Sequence, residues 1–510
     1  MKKLILALAA VLALASCAKP VTVCVNPLTY TDIPDNDVIR VGKDYYMVST
    51  TMYFCPGAPI MHSRDLVHWQ IISYVYDYLE DDDIYNLRDG KNAYGKGQWA
   101  TTLRYVDGTY YALFIANDQR KTYIYHTDDI TKSNWDRYVI NRPFHDASLL
   151  FDDDGRVFVV YGNGNLSIVE LKPDLTGVLE GGVDQVLIES PRQGMSLRAE
   201  GAHIYHIGDY YYVLEIDWPR GGVRQETCWR SKELLGQYES KVVLSGKFDG
   251  RNDGVAQGAI FDTPKGDWYA MMFQDHGAVG RIPTLQPVKW EDDWPILGDE
   301  TIPVKEFEVN LKPYGDNYTW ASDEFDSTDL ALVWQWNHKP VNSAWSLSQR
   351  PGWMTIDALP ATKIADARNV LTQRTVGPAC ESAVKYDVSG LKPGDHAGLC
   401  AFQSNFEALE VEVAEDGTKS LVGLNRQEEF LRVPFNGNDV WFKIDFNFNN
   451  DTAKMSYSLD GNSWTVTDYE LRMRFTLDYF TGYRPAIYCY NSTGAQGGKL
   501  AVDWFHQEQK

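Results

Sequence analysis

Short apolar runs that alternate with polar positions recur along the whole chain. Extended stretches with a 3.6-residue apolar period are scarce, and this pattern predicts an all-β protein. The first clear unit runs from Val38–Val41 through a tight Gly42-Lys43-Asp44 turn into the aromatic stretch Tyr45–Thr50. It reads as a β-hairpin with Asp32, Asp35 and Asp37 at its mouth. The same grammar of apolar strand, Gly/Asp turn and aromatic strand returns at Thr101–Phe114, Ala147–Tyr161, Ala202–Leu214 and Ala259–Phe273. With Tyr46, Tyr111, Phe158, Tyr211 and Tyr269 as anchors, the spacings are 65, 47, 53 and 58 residues. Such a period suits four-stranded blades, so residues 24–305 are expected to form a five-bladed β-propeller. After Trp294-Pro-Ile-Leu-Gly298 the repeats stop, and residues 306–319 read as a linker or crossing strand. Over residues 320–510 the runs Glu407–Val413, Val440–Phe448 and Lys454–Leu459, with turns at Glu415-Asp-Gly417 and Asp460-Gly461, predict a separate β-sandwich.

The repeats also serve as a ruler. Asp35 and Glu200 each lie 11 residues before their blade's anchor, and Trp99, Asp146 and Gln257 each lie 12 before theirs. In a propeller the first strand of each blade runs beside the central channel, so five equivalent stations form a ring at one channel mouth. That ring holds three carboxylates, an indole and an amide, a set suited to splitting a glycosidic bond. One carboxyl group protonates the leaving oxygen, another activates water on the opposite sugar face, and crowding of like charges keeps one of them protonated.

Composition narrows the partners. The chain has 510 residues, with 16 Trp and 31 Tyr, and these aromatics serve β-sheet cores and sugar stacking alike. A net charge of −22, without a basic cluster to override it, excludes nucleic acid as a partner. Met1-Lys-Lys and the apolar run Leu4–Ala15 form an export signal too short to span a bilayer. Leu14-Ala15-Ser16-Cys17 resembles a bacterial lipoprotein cleavage box. The resemblance makes residues 1–17 a signal peptide and lipobox, with Cys17 acylated and the mature protein tethered to a membrane, periplasmic or outer-membrane associated. The remaining cysteines, Cys24, Cys55, Cys228, Cys380, Cys400 and Cys489, lack zinc-ligand spacing; a pairing of Cys380 with Cys400 or Cys489 is left open.

Taken together, these motifs make residues 26–298 similar to glycoside hydrolase family 43. Pro34-Asp35-Asn36 looks like the family segment carrying the general base, and His145-Asp146-Ala147 like the one carrying an Asp that tunes the acid. Glu200-Gly201-Ala202-His203 resembles the segment carrying the acid, and Gln98-Trp99-Ala100 the one whose aromatic residue lines the pocket. The resemblance implies an inverting hydrolysis with Asp35 as base, Glu200 as acid and Asp146 as modulator. It implies Arg281 as a contact to sugar hydroxyls, Phe54 and Trp99 as apolar walls, and Gln257 or His276 as a polar floor. Many relatives carry a His in the fifth-blade segment, near a central calcium or water network, where this chain has Val255-Ala-Gln-Gly258.

The tail resembles the concanavalin-like sandwich of β-xylosidases in this family. Asp323 and Asp503 stand where a structural calcium can sit in that domain; the chemistry itself calls for no cofactor. The resulting expectation is an exo-acting hydrolase releasing terminal D-xylose or L-arabinofuranose from plant cell-wall polysaccharide. The tail inclines it to β-xylosidase, with α-L-arabinofuranosidase and a non-catalytic carbohydrate-binding propeller as alternatives.

Overall fold

The computed structural model describes residues 21–248 and 253–510, and every regular element among them longer than three residues is a strand. Five four-stranded antiparallel sheets follow one another as blades. Their innermost strands are Asp37–Val41, Gln98–Val106, Ser148–Phe151, Met195–Ile207 and Ala256–Asp262. Four blades are built from strands consecutive in the chain, and in blade 1 only Phe54–Cys55 intervenes, leaving for another sheet, so each expected hairpin forms the inner half of one blade.

Polar side chains join the blades around the channel. Arg104 of blade 2 donates to Asp37 of blade 1 (2.8 Å), to the Leu149 carbonyl (2.8 Å) and Ser148 hydroxyl (2.7 Å) of blade 3, and to the Ile204 carbonyl of blade 4 (3.4 Å). Asp37 is fully buried and also accepts from the Leu103 amide, so one charge-assisted network ties four innermost strands together. Blade 5 meets blade 1 through a two-bond pair of Arg40 with Asp262 at 2.8 and 2.7 Å.

Both ends of the propeller segment fasten to blade 5. Thr22–Val25 pairs antiparallel with Glu306–Val309. The Asn26 side chain donates to the carbonyls of Leu285 and Val304, each at 2.8 Å, and accepts from the Leu285 amide at 2.9 Å. Residues 306–309 of the expected linker are therefore a strand of the propeller body. The rest crosses the outer edge of blade 1, where Tyr318 bridges to Gln70 and the Tyr314 amide donates to Asp65.

The C-terminal region is a two-sheet sandwich. One sheet orders Glu428–Phe435, Lys419–Asn425, Glu407–Val413, Asp395–Phe402, Arg484–Asn491, Leu371–Thr372 and Gln335–Asn337. Its edge is completed by Phe54–Cys55 from blade 1, paired with Asn337 and Trp336. The facing sheet is built around Lys499–Gln509, Ala379–Asp387 and Asp439–Asn447. Between them lies a core that includes Leu399, Ile487, Phe442 and Phe446, and it extends to Ala278, Val279 and Ile282 of blade 5. The two lobes thus share a sheet and a core. Gly482 lies at this junction, where a Cβ would come 2.0 Å from the Val279 carbonyl oxygen, so only glycine permits the approach. All six described cysteines are buried and free, so neither open pairing of Cys380 forms.

Candidate active site

Four of the five ring residues sit at or next to a left-handed backbone position. Asp35, Asp146 and Gln257 have φ of +49°, +44° and +63°. For Glu200 the positive φ falls one residue later, on Gly201 at +64°. In blades 2, 4 and 5 the pairing register shifts at the station itself, between Gln98 and Thr101, Glu200 and His203, and Ala256 and Gly258. Such bulges leave a residue outside the ladder and re-aim its side chain. A Cβ at Gly201 would also lie 2.7 Å from Cδ of Gln257, so a side chain there would push the Gln257 amide aside.

Asp146 and Glu200 come together with His145 between them. Nε2 of His145 is 3.6 Å from Oδ2 of Asp146 and 3.7 Å from Oε2 of Glu200. Burial pushes the Asp146 carboxyl up to about 7; His145 pulls against this, while the charges of Glu200 and Asp35 add to it. Burial alone would lower His145, but Glu200, Asp146 and Asp35 outweigh it and lift the imidazole to about 9. Glu200 also accepts a 2.5 Å hydrogen bond from Nδ2 of Asn163 in blade 3. Its side chain is 21% exposed against 8% for Asp146, so Glu200 is the member of the pair that a leaving group can reach.

Asp35 holds the other side of the site. Its Oδ1 accepts from Nη1 of Arg281 at 2.7 Å. Burial raises the Asp35 carboxyl, and the Arg281 guanidinium opposes that rise, favouring the carboxylate a base must be. Nε and Nη2 of Arg281 and Nε1 of Trp99 are buried N–H groups with no protein partner. Three unpaired donors around a carboxylate cluster are what hydroxyl groups of a sugar would satisfy. The backbone of Arg281 is pinned in turn, since its amide donates to Asp32 at 2.8 Å.

An aromatic residue from the sandwich completes the enclosure. Phe480 packs 5.6 Å from the Trp99 ring, and the Arg281 guanidinium lies 4.6 Å over its face. The loop carrying it is held by a 2.9 Å bond from the Gly482 amide to Asp32, the same carboxylate that holds Arg281. Asp32 and Asp37, the other acids of the first hairpin's mouth, are structural: one joins the lobes and one joins the blades.

Asp35, Trp99, Asp146, Glu200, Gln257 and Arg281 are therefore gathered as their repeat positions and motifs lead one to expect. Phe54 is not a pocket wall. It is 1% exposed, with the Arg484 guanidinium 3.8 Å over its ring, and belongs to the seam between the lobes because its strand is captured by the sandwich. His276 is buried edge-on against Tyr30, with ring centroids 5.3 Å apart. The expected calcium ligands do not fit a metal. Asp503 accepts from Nζ of Lys385 at 2.6 Å, and Asp323 accepts from the Trp334 indole at 2.8 Å and the Phe325 amide at 2.8 Å. Neither acid joins a cluster of three or more His, Cys, Asp or Glu ligands among the described residues. Three site residues escaped the sequence reading. His145 stood inside a singled-out motif but was passed over for its neighbour, Asn163 had only the turn Gly162-Asn-Gly164 as a signal, and Phe480 had none.

Comparison with known proteins agrees with the two-part all-β fold and the family resemblance. The family described as Glycosyl hydrolases family 43 matches residues 24–295, and the Beta xylosidase C-terminal Concanavalin A-like domain matches residues 322–508. A beta-xylosidase from Formosa agariphila is 30% identical, over 94% of this chain and 89% of its own length. A non-reducing end alpha-L-arabinofuranosidase from Bacteroides ovatus is 30% identical over 64% of this chain and 63% of its own. A solved structure of a bifunctional GH43-CE protein from Bacteroides eggerthii superposes with a TM-score of 0.91 at 42% identity, covering 97% of this chain. This chain spans 64% of that longer protein.

Proposed function

Because the chain belongs to glycoside hydrolase family 43, we propose that it removes a terminal β-D-xylosyl residue from plant cell-wall xylan or its oligosaccharides, with inversion at the anomeric carbon. The observation that carries this reading is the meeting of Asp35, Asp146 and Glu200, from three blades, at one channel mouth enclosed by Trp99 and Phe480. Asp35 takes a proton from water as that water attacks the anomeric carbon. Glu200 gives its proton to the departing glycosidic oxygen as the bond breaks, so charge balances across the step. Arg281 favours the ionised form of Asp35 and offers its two unpaired nitrogens, Nε and Nη2, to the sugar. Phe480 closes the pocket from the sandwich side, which supports attack at a chain end.

The similarity to both a beta-xylosidase and an alpha-L-arabinofuranosidase sets the experiment. Release of p-nitrophenol from β-xyloside and α-L-arabinofuranoside is measured for wild type and Glu200→Gln. Preferential release from the xyloside supports the proposal, and preference for the arabinofuranoside replaces it with the second activity. Release from neither leaves a carbohydrate-binding role, which the three converging carboxylates argue against.

The reading extends to location. The lipobox at Cys17 lies outside the described residues and is supported by the sequence alone: Met1-Lys-Lys, the apolar Leu4–Ala15 and Leu14-Ala-Ser-Cys17. Acylation of Cys17 would tether an exported enzyme to a bacterial membrane. Cys17→Ala is then expected to move the protein from the membrane fraction to the soluble one; unchanged membrane association would overturn the anchor.

A further inference from the structure

We propose that His145 is a positioning residue of this site: its imidazolium, seated between Asp146 and Glu200, holds the two carboxyl groups close together and sets the pH range over which the site works. The inference rests on the hydrolytic reading above, and its geometry stands independently of it. Nε2 is at ion-pair distance from both acids, 3.6 and 3.7 Å, and one polar side-chain atom from each of the three residues lies within 4.8 Å of the others. Once Glu200 has given up its proton, two carboxylates at that separation repel, and a cation between them converts the repulsion into two attractions.

The charged groups facing His145 come from several blades. Asp146 adjoins it in sequence, Glu200 approaches from blade 4, and Asp35 acts from blade 1, with Arg281 of blade 5 behind Asp35. Blade 2 contributes the neutral Trp99 ring at 5.8 Å, and Asn163 of blade 3 holds Glu200 from another side. Carboxylates thus dominate the surroundings of His145, in keeping with an imidazole lifted to about 9. Its side chain remains 25% exposed, so it exchanges protons with solvent. A positive charge at this point lowers the proton affinity of every facing carboxylate. It thereby keeps the base ionised at a lower pH than three crowded acids would otherwise allow.

Two measurements test this. In the wild-type protein, the His145 Cε1–H resonance is assigned by its loss in His145→Gln and titrated by NMR. It is expected to stay in the protonated position beyond pH 8, and titration at or below the ordinary histidine value of about 6.5 would overturn the proposal. The pH profile of kcat/KM is then compared for wild type, His145→Gln and the charge-retaining His145→Lys. The Gln variant is expected to shift the acid limb upward by about one pH unit, and the Lys variant to restore it. Superimposable profiles with only a raised KM would make His145 a sugar contact instead, and a uniform loss at every pH would make it merely structural. If wild type hydrolyses neither glycoside, the functional reading fails while the NMR titration still decides the charge on His145. If His145→Gln does not fold, loss of the same resonance in His145→Lys assigns it, and the titration again decides.

Discussion

Asp35, Asp146 and Gln257 keep their side chains at the channel mouth with left-handed backbones, which cost a non-glycine residue on the order of 1–2 kcal/mol each. The surrounding blades hold them there, and what they hold is acid–base chemistry. Glu200→Gln preserves the side-chain volume and an acceptor for Asn163 while removing the proton donor. It is expected to lower kcat on a natural xylo-oligosaccharide by about 10²–10⁴-fold. The loss should be much smaller on a xyloside with a strongly acidic leaving group, which departs without protonation. Asp35→Asn is expected to lose activity on both substrates, since water activation is needed for each; equal losses for the two variants on both substrates would refute the assignment of roles. These residues were legible in the sequence because a repeat turns linear offsets into equivalent places in space. His145 and Asn163 were not, because a histidine or asparagine off the ring station carries no mark until the blades set it against Glu200.

At the scale of the element, blade 4 carries three buried acids on its strands. Its second strand carries Glu215 and Asp217 and its third carries Glu226, all buried, and Glu226 accepts from the Gln257 amide at 2.7 Å. Burial pushes Glu226 up to about 8, against an ordinary value of 4.5. The folded form therefore holds this proton more tightly than the unfolded chain does. Its contribution to stability is full below pH 4.5 and is lost as pH rises through about 8. Glu226→Gln keeps the acceptor for the Gln257 amide and removes the titration. Its Tm is expected to exceed that of wild type at pH 9 and to approach it near pH 5; an equal difference at both pH values would show that burial of this charge is not the cause. The alternation of apolar and polar positions marks these strands but says nothing about which polar side chain a neighbouring blade will cover.

At the scale of the molecule, the two lobes form one body. Phe54–Cys55 extends the sandwich sheet, Asp32 ties the backbone of Arg281 to the Phe480 loop, and one apolar core runs from Ile282 into the sandwich. A chain ending at residue 319 would expose that core face and lose Phe480, so it is expected to aggregate or to lack activity. The full protein should unfold in a single calorimetric transition, whereas two well-separated transitions would contradict the shared core. Phe480→Ala should raise KM by about tenfold, the equivalent of one aromatic contact, with a smaller change in kcat. An unchanged KM would remove Phe480 from the substrate pocket.

The sequence by itself determined the all-β character, the five blades, the C-terminal sandwich and the ring that contains Asp35, Asp146 and Glu200. Each of these follows from local alternation and a repeated period, which survive in one dimension because every blade solves the same packing problem. The tertiary structure alone decided what lies between and above the carboxylates: His145 as the cation between two acids, Phe480 as a wall borrowed from the other lobe, and Phe54 buried in the seam. It also gave Asp323 and Asp503 protein partners in place of a cation. These contacts join residues far apart in the chain, across surfaces with no repeat to index them, and only the folded arrangement brings them within the few ångströms over which charge and dispersion act.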